Sequence, residues 1–276
     1  MANSFSQSES ARKVDFTTSS DDNPLIVQLG TNNLEQAVIS SQLLYDHCSG
    51  IDINSGCPQR WAIKEGLGCQ LLRDKEKLFQ IIKEIKQNAP TSSKGRLFSV
   101  SAKIRLINDE FIGGKGHNSV WNTIELIKGL SLSGCDFVTI HCRYPSERDS
   151  TPPRFDEFKE ILDANIHHCR GGRLPLIING GIKNISQIRS LHEEIKFQGV
   201  MVANGILEDP SIFLDKKPSK NELREKWLDL ATTHNYGNSP QNLQNQLLWL
   251  SGDLNKSELI ILKSQTTLSC LRDTKI

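Results

Sequence analysis

IDINSGCPQRWAIKEGLG, residues Ile51–Gly68, joins a β-branched run to an exposed Cys-Pro turn and then to a Gly-x-Gly loop. Asn54 closes the run, Gly56 permits a tight turn, and Pro58 stiffens the loop that carries Cys57. Working outward, five more runs of the same kind occur: LIVQL (25–29), FSVSAKI (98–104), FVTIH (137–141), PLII (175–178) and GVMVA (199–203). Polar groups able to bind or react stand at nearly every end, namely Gln28, Asn54, Lys103 with Arg105, His141 with Arg143, Asn179 and Asn204. Between the runs, apolar residues recur at helical spacing: Leu34, Val38, Leu44 and Cys48; Leu78, Ile82 and Ile85; Val120, Ile124 and Ile127; Ile185, Ile188, Leu191 and Ile195.

That alternation is the mark of βα units feeding a parallel sheet. A (β/α)8 barrel draws its site from the C-terminal ends of its strands, whereas a doubly wound sheet concentrates such residues at one switch point. The spread over all the strands therefore predicts an α/β barrel. After Phe213 only helical patterns remain, with Leu223, Trp227 and Leu230, then Leu243 and Leu247, then a stretch from Ser257 to about Leu271. The expected organisation is a barrel domain over 1–214 and a small all-helical domain over 215–276.

Composition narrows the function classes. At 37% hydrophobic and 24% charged residues, with no apolar run near the ~20 residues a span needs, the sequence predicts no membrane anchorage. The N-terminus lacks a secretory pattern, and Glu9, Asp15, Asp21 and Asp22 argue against a mitochondrial presequence. Seven scattered cysteines show neither zinc spacing nor a disulfide framework, which predicts a reducing compartment, cytoplasmic or nuclear, and no metal site. Cys48, Cys135, Cys169 and Cys270 read as small buried hydrophobes. A net charge of +1 does not by itself announce a nucleic-acid partner. Residues 107–118, INDEFIGGKGHN, read as a mobile flap over the catalytic face; they lack the spacing and context of a phosphate-binding loop.

The 51–68 stretch continues into SAKIRL (101–106), TIHCRYPSER (139–148), PLIINGGI (175–182) and GVMVANGILEDPSIF (199–213). These motifs, in this order and at this spacing, resemble the tRNA-dihydrouridine synthase family, whose hallmark is N-x-G-C-P followed by a glycine-rich turn. ARKVDFTT (11–18), PLIVQLGTNN (24–33) and DINSGCPQRWA (52–62) resemble more narrowly the eukaryotic branch acting on uridines 20a and 20b of the tRNA D-loop. The resemblance implies bound FMN, NADPH or NADH as reductant, tRNA as partner, and a monomer needing no protein partner. It implies Cys57 as the proton donor to uracil; an ordinary thiol, titrating near ~8.5, is mostly protonated at neutral pH. Lys103 is implied at the electron-rich edge of the flavin, with Gln28 and His141 as further cofactor contacts. Asn179, Gly180 and Gly181, together with Ala203, Asn204 and Gly205, are implied to receive the FMN phosphate. Asn54, Arg105 and Arg143 are implied to face the substrate, while Lys216, Lys217, Lys220, Arg224, Arg148 and Arg154 offer charge to RNA.

The sequence departs from the family pattern at several positions. Asn204 stands where arginine is frequent, Gly181 where an acid is frequent, Cys142 where glycine is usual and Ser55 where this branch has a cysteine. The family's opening A-P-M strand, its helix and a second strand have no counterpart, so the expected fold is a (β/α)8 TIM-type barrel lacking its first two strands, read as a truncated gene product that holds FMN poorly. Two other functions compete: a dihydroorotate dehydrogenase-like FMN barrel, and a non-catalytic tRNA-binding remnant.

Overall fold

The computed structural model describes residues 2–93, 95–113, 118–165, 174–233, 245–248 and 250. Six parallel strands make one sheet: β1 (Ile26–Leu29), β2 (Gly50–Ser55), β3 (Ser99–Arg105), β4 (Phe137–His141), β5 (Leu176–Asn179) and β6 (Gly199–Met201). Each strand lies beside its predecessor, in the order β1 to β6, without the reversal that a doubly wound sheet requires. The sheet is a curled half-barrel wall of an α/β fold. Every expected strand is present within one or two residues of its predicted ends.

Strand alternation divides the residues between two faces. Ile51, Ile53, Val100, Ala102, Ile104, Val138, Ile140, Leu176 and Ile178 occupy one face, all fully buried. Helices supply the cover. Lys75–Asn88 buries Leu78, Ile81, Ile82 and Ile85, and Ser119–Leu132 buries Ile124, Leu126, Ile127 and Leu130. Each large aliphatic side chain so buried contributes about 1.5–3 kcal/mol. Side-chain caps begin these helices where the sequence places Asp or Asn: Lys77 N–H donates to Asp74 Oδ1 at 3.3 Å and Trp121 N–H to Asn118 Oδ1 at 2.8 Å. Gly129 lets the second helix approach the first, since a Cβ there would meet the Phe79 ring at 2.0 Å.

The structure also supplies what the sequence pattern did not mark. Residues 2–16, left without an element, form helices Ala2–Gln7 and Glu9–Asp15, with Ala2 and Phe5 buried. Ser40 Oγ donates to Ala2 O at 3.1 Å, and Phe5 meets Phe16 edge to face, so this segment packs beside β1 and the helix Leu34–Leu44. The expected flap is anchored over its first half. Leu106 and Ile107 are fully buried, Ile107 N–H donates to Thr123 Oγ1, and Arg73 lies over the Phe111 ring. Residues 114–117 lie outside the described residues.

The chain divides into two compact units, Met1–Gly181 with Ile195–Met201, and Ile182–Glu194 with Val202–Ile276. The expected boundary at 214/215 falls inside the second unit. There the helix Lys220–Thr233 forms as its apolar spacing predicts, but it buries Leu228 and leaves Leu230 57% exposed. Trp227 Nε1 donates to Gln246 Oε1 at 3.1 Å. The stretch Ser257 to Leu271 lies outside the described residues, as do Cys169 and Cys270.

Candidate active site

The second face of the sheet is polar. Register aligns Gln28, Asp52 and Ser101 in one row, Asn54, Lys103 and Thr139 in the next, and Arg105, His141 and Asn179 at the strand ends. Seven of the expected site residues, Gln28, Asn54, Lys103, Arg105, His141, Asn179 and the turn-borne Cys57, thus belong to one face or leave it directly.

The Cys57 turn is held from three sides. Asn54 Oδ1 accepts from Gly56 N–H at 3.2 Å and Cys57 N–H at 3.1 Å. Arg105 Nε donates to Gly56 O at 3.0 Å. Cys69 N–H donates to Cys57 O at 3.0 Å. Gly68 makes that last approach possible, because it adopts φ +60 and a Cβ there would lie 2.5 Å from Cys57 O. The Gly-x-Gly loop therefore closes against the cysteine turn, and the thiol is left half-buried.

Lys103 is half-buried, and its ammonium has no hydrogen bond or ion pair among the described residues. Burial lowers its pKa, while Asp52 opposes that shift. Its register neighbour Thr139 buries a hydroxyl that likewise has no partner among the described residues. An ammonium on the polar face with no acceptor among the described residues fits the electron-rich ring edge of a flavin. His141 is pushed down to about 3, first by burial and then by Arg105, Lys103 and Arg143. Arg143 Nη1 lies 2.9 Å from His141 Nε2. A guanidinium only donates, so Nε2 is the acceptor and the ring carries its hydrogen on Nδ1. Gly180, at φ +117, leaves the room this needs, since a Cβ would meet His141 Cδ2 at 2.8 Å.

Other expected residues are spent internally. Arg105 is buried and also donates to Tyr144 O and Glu147 O, at 2.9 and 3.1 Å. Arg143, equally buried, donates to Thr151 O at 2.5 Å and Asp149 O at 3.2 Å. Both guanidiniums brace loops. Asn179 Nδ2 donates to Met201 O at 2.8 Å, and Gly181 fits against Pro153 and Arg143. In the second unit, Ala203 precedes the helix Asn204–Glu208, and Gly205 packs so tightly that a Cβ would lie 2.6 Å from Ile182 O. Of the departures, Cys142 is fully buried with its thiol pushed up to about 12, and Ser55 is buried with a hydroxyl that has no partner among the described residues. Asp52, which the sequence reading passed over, is 4% exposed and accepts from Gln28 Nε2 and Ser101 Oγ, each at 2.7 Å. An acid between two isoleucines, Ile51 and Ile53, was its signal.

Consecutive parallel strands, one apolar face under helices and a polar face ending in a cysteine turn define a barrel-type α/β protein with a strand-end site. The chain belongs to the dihydrouridine synthase (Dus) family, whose model matches residues 1–247. The human protein named tRNA-dihydrouridine(20a/20b) synthase [NAD(P)+]-like is 31% identical over 231 residues, covering 84% of this chain and 66% of that protein. In Saccharomyces cerevisiae, tRNA-dihydrouridine(20a/20b) synthase [NAD(P)+] is 30% identical over 213 residues, covering 77% and 53%. A second yeast protein, tRNA-dihydrouridine(20) synthase [NAD(P)+], is 32% identical over 203 residues, covering 71% and 48%. The chain thus spans between about half and two thirds of the length of these relatives. The solved structure of morphinone reductase matches with a TM-score of 0.42 and 10% identity, over 65% of this chain and 46% of that one.

Proposed function

We propose that this chain reduces a uridine of the tRNA D-loop, at position 20a or 20b, to 5,6-dihydrouridine, acting as a monomer in the cytosol or nucleus with FMN bound and NADPH or NADH as reductant. The observation that carries the reading is the Cys57 turn, pinned by Asn54, Arg105 and Gly68 beside the partner-free ammonium of Lys103. The names of the relatives support the substrate. When bound, FMN supplies the hydride that uracil accepts at C6. Cys57 gives its thiol proton to C5 of the ring, and water returns a proton to the sulfur. Lys103 would hold the cofactor at its electron-rich edge and supply positive charge there. His141 offers an Nδ1–H donor beside it, and Gln28 lies along the same face. Backbone N–H groups around Asn179, Gly180 and Gly181 are assigned to the cofactor phosphate. Asn54, Arg105 and Arg143 act by holding the loops that frame the substrate.

The test incubates the purified chain with FMN, NADPH and unmodified tRNA and measures dihydrouridine by mass spectrometry of nucleosides. Dihydrouridine at the D-loop is the expected result, with Cys57→Ala slower by about 10²–10⁴. A Cys57→Ala variant working at the parent rate, or turnover of free dihydroorotate in place of tRNA, overturns the reading.

A further inference from the structure

Asp52 lies at the start of a hydrogen-bond chain whose polarity is forced along its length. At the far end, two backbone N–H groups, of Gly56 and Cys57, require an acceptor, so Asn54 must turn Oδ1 toward them. Its Nδ2 then faces Gln28 and donates to Oε1 at 2.7 Å. Gln28, with its oxygen committed, must present Nε2 to the next residue, and it meets Asp52 Oδ2 at 2.7 Å. An ionised carboxylate only accepts, so it takes this donor and the Ser101 hydroxyl, which approaches Oδ1 at 2.7 Å. An amide can be flipped at little cost when both its neighbours can donate and accept. Here the carboxylate removes that freedom at Gln28, and Gln28 removes it at Asn54.

We propose that Asp52 is a positioning residue for the proton donor: as a fixed acceptor it anchors Gln28 and through it Asn54 from the end opposite the turn, and so limits the movement of the Cys57 turn. This inference rests on the role given to Cys57 under the proposed function and adds a residue that does not touch the reacting atoms. Burial raises the Asp52 pKa, while the hydrogen bonds from Gln28 and Ser101 and the charge of Lys103 on β3 act the other way, toward the carboxylate. With Asp52→Asn the end of the chain can accept or donate. The chain is then held from the turn end alone, by the two N–H groups on Asn54 Oδ1, and Gln28 and Asn54 lose the constraint at the opposite end.

The test has a readout independent of cofactor and turnover. Amide hydrogen exchange is measured on the whole chain for the parent, Asp52→Asn, Asn54→Ala and the double variant. Protection at Gly56 and Cys57 is expected to fall by on the order of tenfold in each single variant and no further in the double, because both remove one constraint. Protection at Ile53 and Ala102, in the strands themselves, is expected to stay at the parent level. If Asp52→Asn does not fold, Gln28→Met breaks the same chain at an exposed position, with the same selective loss expected. Parent-level protection at Gly56 and Cys57 in a folded Asp52→Asn or Gln28→Met, or additive losses in the double variant, overturns the proposal. Single-turnover tRNA reduction is run beside Cys57→Ala. If Cys57→Ala is as fast as the parent, the assigned role of Cys57 has failed; if it is slow while Asp52→Asn keeps the parent rate, only the positioning role has failed.

Discussion

Two cysteines are joined through their backbones at the Cys57 turn, and their surroundings distinguish them. Cys69 is fully buried and its titration is raised by that burial, whereas Cys57 is half-buried. Cys69→Ala is therefore expected to stay near the parent rate in the tRNA assay that Cys57→Ala fails; equal losses would show that the turn, not the thiol, is what matters. His141 provides a second residue-level prediction. Its folded pKa is depressed from 6.5 to about 3, so below 6.5 the unfolded chain takes up a proton that the folded chain refuses. The stability due to neutral His141 is complete above about pH 6.5 and falls as pH drops through the window toward 3, by at most about 1.4 kcal/mol per pH unit. Urea unfolding between pH 6.5 and 4 should show a shallower decline for His141→Gln, which removes that proton uptake while retaining an acceptor for Arg143. Coincident slopes would mean that His141 is not held neutral.

At the scale of elements, the turn after β2 depends on glycine backbone geometry as much as on its side chains. Gly68→Ala must bear both a positive φ and a contact of 2.5 Å with Cys57 O, whereas Gly113→Ala bears a positive φ with nothing within 4 Å. Gly113→Ala should lose about 1–2 kcal/mol in a denaturant titration, the usual cost of a left-handed residue. Gly68→Ala should lose more and should also disturb the Cys57 turn. A Gly68→Ala loss no larger than that of Gly113→Ala would show that the loop relaxes freely. The helices were legible because their apolar spacing is local: Leu78, Ile82 and Ile85 fall on one side of Lys75–Asn88. Helices Ala2–Gln7 and Glu9–Asp15 were not, since only Ala2 and Phe5 are buried and these rest on distant residues, not on a repeating stripe.

For the molecule as a whole, the proposed function assigns different cations to the cofactor and to RNA. Lys103→Met is expected to lower flavin content after purification in FMN while leaving tRNA retention unchanged, read by absorbance and filter binding. Lys216→Ala is expected to weaken tRNA binding and reduce its salt slope by about 1, with flavin content unchanged. Lys217, already paired with Asp209, is expected to contribute less. Loss of flavin from the Lys216 variant would contradict that division. The sequence by itself determined the six strands, their order and which face of each is apolar, because period-two alternation is written locally in runs such as FSVSAKI and FVTIH. It also marked Cys57, since a Cys-Pro turn at a strand end has few structural uses. Tertiary structure alone decided how the polar groups are spent: Arg105 and Arg143 on loop carbonyls, Lys103 on nothing in the described protein, and Asp52 on Gln28 and Ser101. The two bonds of Asp52 join residues 24 and 49 positions apart, so their formation depends on strand register and close packing, which no local pattern encodes.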